Sequence, residues 1–342
     1  MKKFVVTIII LLTLGPAAQG KKLGSFSEVY FKRPMLRLDD KHVYIVDQGL
    51  KKGYIYDRTN LKKVAEFGKK GQGPGEFISI TYVSIDDEYI YISTFPKLCI
   101  FSKEGKLIKE LKGPAKTGKY IPLGKNFVGT FYLPSLPDDD YVKTQIRLFD
   151  ANLQKKKDLL LTKIHSFVKF QKGKEIIYKF PDCVESVVYK DKLYVGSTEK
   201  GFYFAVFNSD GEKLFDIKKE ENKRRFTEEE KGRIRKAMKI GMGEENWKIF
   251  NTSKELIFGD YYPSYKAFFV NDDNIYVFRY PLQNGLYEIL IFSLKGELIK
   301  KKFMSIMDCD DVESKYSFIY KGKLYQMRET EEEWELHEVE LL

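Results

Sequence analysis

The sequence predicts an all-β protein, a six-bladed β-propeller of four-stranded antiparallel blades with one short α-helical insertion. Three observations predict it. A strand-turn-strand unit recurs along the chain, a second strand series runs in step ahead of it, and one stretch of the 342 residues carries helical periodicity.

The recurring unit starts at Ile55-Tyr56-Asp57 and leads to Val64-Ala65-Glu66-Phe67. It returns at Ile100-Phe101-Ser102 through Leu107-Ile108, at Leu148-Phe149-Asp150, at Val206-Phe207-Asn208 through Leu214, and at Ile291-Phe292-Ser293 through Leu298-Ile299. Each copy reads as a strand, a polar turn bearing Gly, Asp or Asn, and a second strand. Equivalent residues lie 45, 48, 58 and 85 positions apart. The preceding series is His42 to Asp47, Glu88 to Ile92, Asn126 to Val128, Lys192 to Val195, Asn274 to Val277 and Lys323 to Tyr325. Two members are near copies, Tyr189-Lys190-Asp191-Lys192-Leu193-Tyr194 and Tyr320-Lys321-Gly322-Lys323-Leu324-Tyr325. A lone twisted sheet of four strands cannot bury both faces, and packing sheets around an axis does so. Six members give six blades.

The last repeat is one strand short. After Tyr316 to Tyr320, Lys323 to Arg328 and Trp334 to Val339 the sequence ends. Phe26 to Lys32, with alternating apolar residues, is expected to complete that sheet and close the ring.

The widest interval holds the helical insertion, expected at about 221–250. Thr227-Glu228-Glu229-Glu230 is a capping box with Thr227 as N-cap, and Ile234, Ala237, Met238 and Gly241 follow at helical spacing. The helix is expected to end near Gly241 or Gly243 and to pack on one face of the propeller.

At the other end, Lys2 and Lys3 precede an apolar run from Phe4 to Leu14, and Gly15-Pro16-Ala17-Ala18-Gln19-Gly20 follows. Residues 1–20 read as a signal peptide cleaved after Ala18 or Gly20, and 21–342 as a single propeller domain. The run is shorter than the ~20 residues that span a membrane, so no integral membrane segment is expected in the mature chain. The first cysteine is Cys99, which speaks against a lipid anchor on an N-terminal cysteine. A periplasmic or extracellular monomer is the expectation.

Lys and Arg total 59 against 49 acids, a formal charge of +10, and all but ten of those cations are lysine. Phosphate and base recognition favours clustered arginine, whereas these lysines are spread over turns and strand ends beside acids, as in Lys103-Glu104 and Lys218-Lys219-Glu220-Glu221. Nucleic acid is therefore not expected as a partner. Exposed edges of outer strands use lysine in this way to resist edge-to-edge pairing.

The loop Gly68-Lys69-Lys70-Gly71-Gln72-Gly73-Pro74-Gly75-Glu76-Phe77 joins the first blade to the second. Its glycines permit left-handed backbone, Phe77 can wedge between sheets, and the Lys-Ser/Thr pair of a phosphate-binding loop does not follow, so it reads as a connector. Together with Val43-Tyr44-Ile45-Val46-Asp47 and Ile80-Thr81-Tyr82-Val83-Ser84-Ile85-Asp86, this stretch resembles NHL-repeat proteins. More closely, the chain resembles the exported bacterial six-bladed β-propeller family, whose members carry such a Gly-x-Gly-Pro-Gly-Glu-Phe loop. The helical insertion followed by Tyr261-Tyr262-Pro263 fits that pattern. The resemblance implies an exported propeller and brings no catalytic residues with it.

Catalytic constellations are sparse. The three histidines, His42, His165 and His337, have no metal-type partner at short spacing, and a channel metal would call on carboxylates such as Asp182, Glu185, Asp308 or Asp310. The plainer reading is that these are solvated turn residues. Asp138-Asp139-Asp140 lacks a Gly-spaced calcium loop. Cys99 reads as a buried small hydrophobe, and a Cys183–Cys309 disulfide is left open by spacing alone. Gly-x-Ser-x-Gly does not occur. No metal or cofactor is expected.

The stronger signal is aromatic. Trp247, Tyr261, Tyr262 and Tyr265 surround the insertion and the start of the fifth blade, where they either pack the helix down or present faces to a ligand. The favoured reading is a non-catalytic exported propeller that binds a protein, peptide or glycan through one face, with these four residues as the ligand-binding candidates. A channel-centred lyase or hydrolase, metal-dependent or not, is the alternative, and an envelope scaffold a further one.

Overall fold

A computed structural model describes residues 20–114, 117–133, 141–165, 168–171, 174–221, 223–282, 284–306 and 316–342. Blade 1 comprises Pro34–Leu38, His42–Asp47, Lys52–Asp57 and Lys63–Phe67, and blade 2 comprises Ile80–Ile85, Tyr89–Thr94, Lys97–Ser102 and Leu107–Lys112. Blade 3 is Thr117–Leu123, Asn126–Leu133, Tyr141–Phe149 and Lys155–His165; blade 4 is Val184–Tyr189, Lys192–Ser197, Phe202–Phe207 and Lys213–Lys219. Blade 5 is Ala267–Asn271, Asn274–Phe278, Leu286–Ser293 and Leu298–Ser305; blade 6 is Ser317–Tyr320, Lys323–Glu329 and Trp334–Glu340, with a fourth strand from Lys21–Ser25. In each of the first five the chain runs from one edge strand of the sheet to the other without crossing. The first strand of every blade lies against that of the next, and the sixth against the first, so the ring is closed and these strands are the inner ones.

Six clusters of buried apolar residues occupy the six gaps between blades. The strand His42–Asp47 shows why the sequence reads as unbroken apolar runs. Val43 and Ile45 join Tyr325 and Met327 of blade 6, while Tyr44 and Val46 join Val83 and Ile92 of blade 2. A strand with both faces covered has no polar face to alternate with.

The repeats seen in the sequence are repeats of turn chemistry. Asp57, Ser102, Asp150, Asn208 and Ser293 occupy one corner in five blades, and their carbonyls accept N–H bonds of 2.9–3.0 Å from Leu61, Gly105, Leu153, Gly211 and Gly296. All five donors have positive φ, from 53° to 85°. Strand pairing slips by one residue at the same place each time, beside Tyr56, Phe101, Phe149, Phe207 and Phe292. At the opposite corner Asp39 and Asp86 each cap two backbone N–H groups and accept a hydroxyl five residues on, from Tyr44 at 2.6 Å and Tyr91 at 2.5 Å.

The ring closes through the chain start, but with Lys21–Ser25 and not with Phe26 to Lys32. Lys21 stands opposite Glu338 and Ser25 opposite Glu335. An outermost strand is solvated and needs little apolar patterning; Lys22 instead meets Glu335 at 2.6 Å. The apolar residues of 26–32 mark a loop packed beneath the same strand. Phe26 and Phe31 are buried, and Trp334 Nε1 donates to the Phe31 carbonyl at 2.8 Å.

The insertion holds two helices where one was expected, α1 at Glu228–Met242 and α2 at Glu244–Ser253. The capping box is present: the Glu230 amide donates to Thr227 Oγ1 at 3.1 Å and the Thr227 amide to Glu230 Oε2 at 3.0 Å. Gly243, at φ 78°, ends α1, and α2 starts directly after it. Next comes Lys254–Phe258, which pairs in parallel with Lys174–Lys179, itself in a hairpin with Val168–Gln171. Segments from two successive blade connections, 3 to 4 and 4 to 5, thus build one small sheet. In a four-stranded antiparallel blade the outer strand ends on the face where the inner strand begins. Both insertions therefore emerge on one face, here called the cap face.

Candidate functional site

The two ends of the larger insertion pair with each other before the chain enters blade 5. Phe226 N–H donates to the Asp260 carbonyl at 3.0 Å and Tyr262 N–H to the Arg224 carbonyl at 2.8 Å, around the antiparallel bridge Arg225–Tyr261. Alternation along this two-stranded neck sorts its side chains by face. Phe226 and Tyr262 are buried and stack with ring centroids 3.5 Å apart, and Phe180, Phe258 and Tyr280 complete an aromatic cluster around them. Tyr280 belongs to the loop between the second and third strands of blade 5, so this cluster fastens the cap to the propeller. The bridge partners Arg225 and Tyr261 share the other face, with the guanidinium 6.0 Å from the ring centroid.

Between the start of α1 and the blade 5 loop lies an open cleft of about 480 Å³, lined by Arg224, Arg225, Thr227, Glu230, Leu282 and Asn284. Arg224 spans it at depth, 3.9 Å from the Tyr262 ring centroid, donating to the Pro281 carbonyl at 2.7 Å and meeting Glu230 at 3.4 Å. Tyr262 itself is raised above the ordinary tyrosine range by burial, with Arg224 opposing. Arg225 is exposed and forms no ion pair among the described residues.

At the axis a second arrangement links inner strands of consecutive blades. Phe318 of blade 6 lies 5.5 Å from the Arg37 guanidinium of blade 1, which lies 5.2 Å from the Tyr82 ring of blade 2. Lys119 of blade 3 sits 4.9 Å from the same ring and 3.0 Å from Glu185 of blade 4, and it also donates to the Ser186 carbonyl at 3.3 Å. Burial works to lower the Lys119 ammonium, but Glu185 and Tyr82 outweigh it and hold the group above the usual lysine range. Cation-aromatic contacts tie four blades together here, and the Lys119–Glu185 ion pair adds the fifth.

Residues 34–236 match the family model described as 6-bladed beta-propeller. The chain belongs to that family. Among solved structures, the propeller is similar to a Bacteroides fragilis protein named as an exported protein, with 12% identity, 94% of each chain covered and a TM-score of 0.55. It also aligns with a luciferin-regenerating enzyme, at 10% identity, 94% of each chain and a TM-score of 0.40. The Neurospora crassa Pan2 WD40 domain aligns at 10% identity over 90% of this chain and 75% of that one, with a TM-score of 0.39. No curated protein matches the chain.

Within this six-bladed propeller the four aromatic candidates part company. Tyr265 is fully buried between blades 4 and 5, stacked on Phe204 with centroids 5.3 Å apart. Burial, reinforced by Cys183 and Glu185, raises its hydroxyl well above the ordinary value. Tyr262 is the centre of the fastening cluster. Trp247 is half-buried and stacks on Phe250 at 5.3 Å, and Tyr261 alone is widely exposed, at 47%.

Of the carboxylates considered for a channel metal, Glu185 faces Lys119 and Asp182 accepts from Thr198 Oγ1 at 2.8 Å. Among the described residues no group of three or more His, Cys, Asp and Glu is placed to hold a metal ion. Asp138 to Asp140, Asp308, Cys309 and Asp310 lie outside the described residues, and with them the Cys183–Cys309 pairing. His42 contacts Tyr44, His337 contacts Glu335 at 2.7 Å, and the side chain of His165 is outside what is described. The cleft residues Arg224, Arg225, Leu282 and Asn284 were not anticipated. A signal was present, because four of the ten arginines fall between Arg224 and Arg235 in a chain that otherwise uses lysine.

Proposed function

We propose that this chain is an exported, non-catalytic propeller that binds a protein, peptide or glycan at its cap face, in the cleft between α1 and the blade 5 loop. One observation carries the reading. The larger insertion and the blade 5 loop enclose an open cleft lined by an exposed guanidinium, Arg225, that has no ion pair among the described residues and lies beside the half-exposed Tyr261, while Lys119 and Glu185 at the axis are paired with each other. Trp247 and Tyr261 belong to the same cap and Tyr262 fastens it from below, whereas Tyr265 packs between blades 4 and 5 and is not available to a ligand. Export is supported by Lys2, Lys3 and the apolar run to Leu14, and by the exported-protein name of the Bacteroides fragilis neighbour. Among the described residues no helix is long and apolar enough to cross a membrane. The resemblance to NHL-repeat proteins is supported by the Gly68 to Phe77 loop with Val43 to Asp47 before it and Ile80 to Asp86 after it.

The test is binding of the full chain to peptide and glycan arrays, alongside the variant Asn284→Trp, which fills the cleft from an exposed position. Signal on one array that disappears in the variant is expected. Absence of signal on both, or signal indifferent to the variant, overturns the reading.

A further inference from the structure

We infer that the cleft reads the free C-terminal carboxylate of a peptide, with Arg225 as its anchor. The inference rests on the proposed binding role of the cap face and names the ligand chemistry there.

Charge is the first argument. Glu230, the one acid lining the cleft, is already occupied by the Thr227 amide at 3.0 Å, the Thr227 hydroxyl at 3.2 Å and Arg224 at 3.4 Å. Arg224 is in turn committed to Glu230, the Pro281 carbonyl and the Tyr262 ring. Arg225 is left as the cation with no carboxylate partner among the described residues. A guanidinium presents paired donors in a fixed fork that matches a carboxylate, and such charge-assisted bonds are stronger than neutral ones.

Geometry is the second. The bridge Arg225–Tyr261 places the guanidinium and the phenol ring on one face of the neck, so the fork is held on paired backbone and not on a free loop. Across the cleft, Asn284 Oδ1 accepts from the Leu286 amide at 3.1 Å, which fixes the side chain and leaves its NH₂ to donate. Leu282 adds an aliphatic side chain to the lining. One carboxylate, one apolar side chain and one backbone carbonyl are what the end of a peptide offers. An acidic sugar offers the carboxylate but has no aliphatic side chain for Leu282. A cleft of about 480 Å³ falls within the range of small-ligand sites and suits the last few residues of a chain, not a whole domain.

The experiment uses the full chain and an array of pentapeptides tethered at their N-termini, each present as the free acid and as the C-terminal amide. A uronate-terminated oligosaccharide and its neutral counterpart are printed beside them. Wild type is expected to prefer acids over amides by roughly tenfold or more, the size of a charged hydrogen bond. Arg225→Ala should erase that preference and Arg225→Lys restore part of it, with thermal unfolding unchanged because Arg225 is exposed. Equal binding of acids and amides that Asn284→Trp still abolishes would overturn the carboxylate reading and leave the cleft as a binding site. Arg225-dependent capture of the uronate alone would overturn the peptide assignment. If no probe binds, or if Asn284→Trp changes nothing, both the inference and the proposed function fall.

Discussion

The Lys119–Glu185 pair at the axis yields an asymmetry that can be measured. The Lys119 side chain is 13% exposed and that of Glu185 42% exposed. Glu185→Gln leaves a nearly buried ammonium without its counter-ion, whereas Lys119→Met leaves a carboxylate that reaches water and adds apolar surface to the channel. Breaking a fully buried pair costs about 3–5 kcal/mol, and Glu185's exposure discounts that to roughly 2 kcal/mol for Glu185→Gln. For Lys119→Met the expectation is about 1 kcal/mol or less. With an unfolding entropy of about 2.1 cal/mol/K per residue over ~320 residues, 2 kcal/mol moves Tm by roughly 3 °C. Urea unfolding of both single variants and the double variant supplies the cycle. The pH dependence gives a second readout. In the wild type Lys119 is raised, so its contribution is fully present below the unfolded pKa of about 10.4 and is lost as pH climbs through the folded value. In Glu185→Gln burial is opposed only by the neighbouring tyrosines and lowers the group, so its contribution to stability rises with pH between the lowered value and about 10.4, where that of the wild type is flat. The difference between the two proteins should therefore narrow in strong alkali. Equal losses from the two single variants, or a difference that does not vary with pH, would refute the reasoning.

Three further outcomes follow from other parts of the fold. Gly105 and Gly296 occupy the same turn position at φ 84° and 85°, but a Cβ at 296 would sit 2.5 Å from Ile217 Cγ2, against 3.3 Å from Phe67 Cβ at 105. Gly105→Ala should cost about 1–2 kcal/mol for the backbone alone and Gly296→Ala roughly 1–3 kcal/mol more in urea unfolding; equal losses would show that blade packing does not set the difference. Thr227→Ala removes the capping box and about 1 kcal/mol from α1, which packs chiefly on α2. Hydrogen exchange across Glu228–Met242 should quicken roughly fivefold with global Tm nearly unchanged, and a matching global loss would contradict a locally held cap. Burial, with Glu110 3.3 Å from its sulfur, pushes the Cys99 thiol up to about 12, so peptide-mapped maleimide labelling at pH 8 should reach it only after unfolding. Labelling of Cys99 in the native state within tenfold of a free thiol would argue against that packing.

How far the sequence reached follows from what each element must do. Blades were legible because one physical problem, a sheet needing cover on both faces, is solved six times, in five of them with the same turn. Asp57, Ser102, Asp150, Asn208 and Ser293 turn the chain by the same carbonyl bond, and the next strand must resume after a residue of positive φ. Leucine at 61 and 153 does the work of glycine at 105, 211 and 296, so conformation recurs even where residue type does not. The closing strand escaped because its role imposes no apolar pattern. Lys21–Ser25 is an outer strand that pairs through backbone and the Lys22 ion pairs, while Phe26 and Phe31 alternate apolar because a loop is buried there.

The cap was half legible for a related reason. Thr227 and Glu230 announce a helix start through local hydrogen bonds, which sequence records, and Gly243 announces its end. The parallel ladder between Lys174–Lys179 and Lys254–Phe258 joins segments far apart in the chain that share no repeat, so no period reveals it. The same limit divided the aromatic candidates. Tyr261 and Tyr262 are neighbours in sequence, yet the neck's alternation sends one ring to the surface beside Arg225 and the other under the cap against Phe226. An aromatic cluster next to an insertion therefore carries two messages at once. It says that the insertion is fastened, and only its odd-facing members, together with the arginine that breaks a lysine-rich habit, can say what the fastened surface is for.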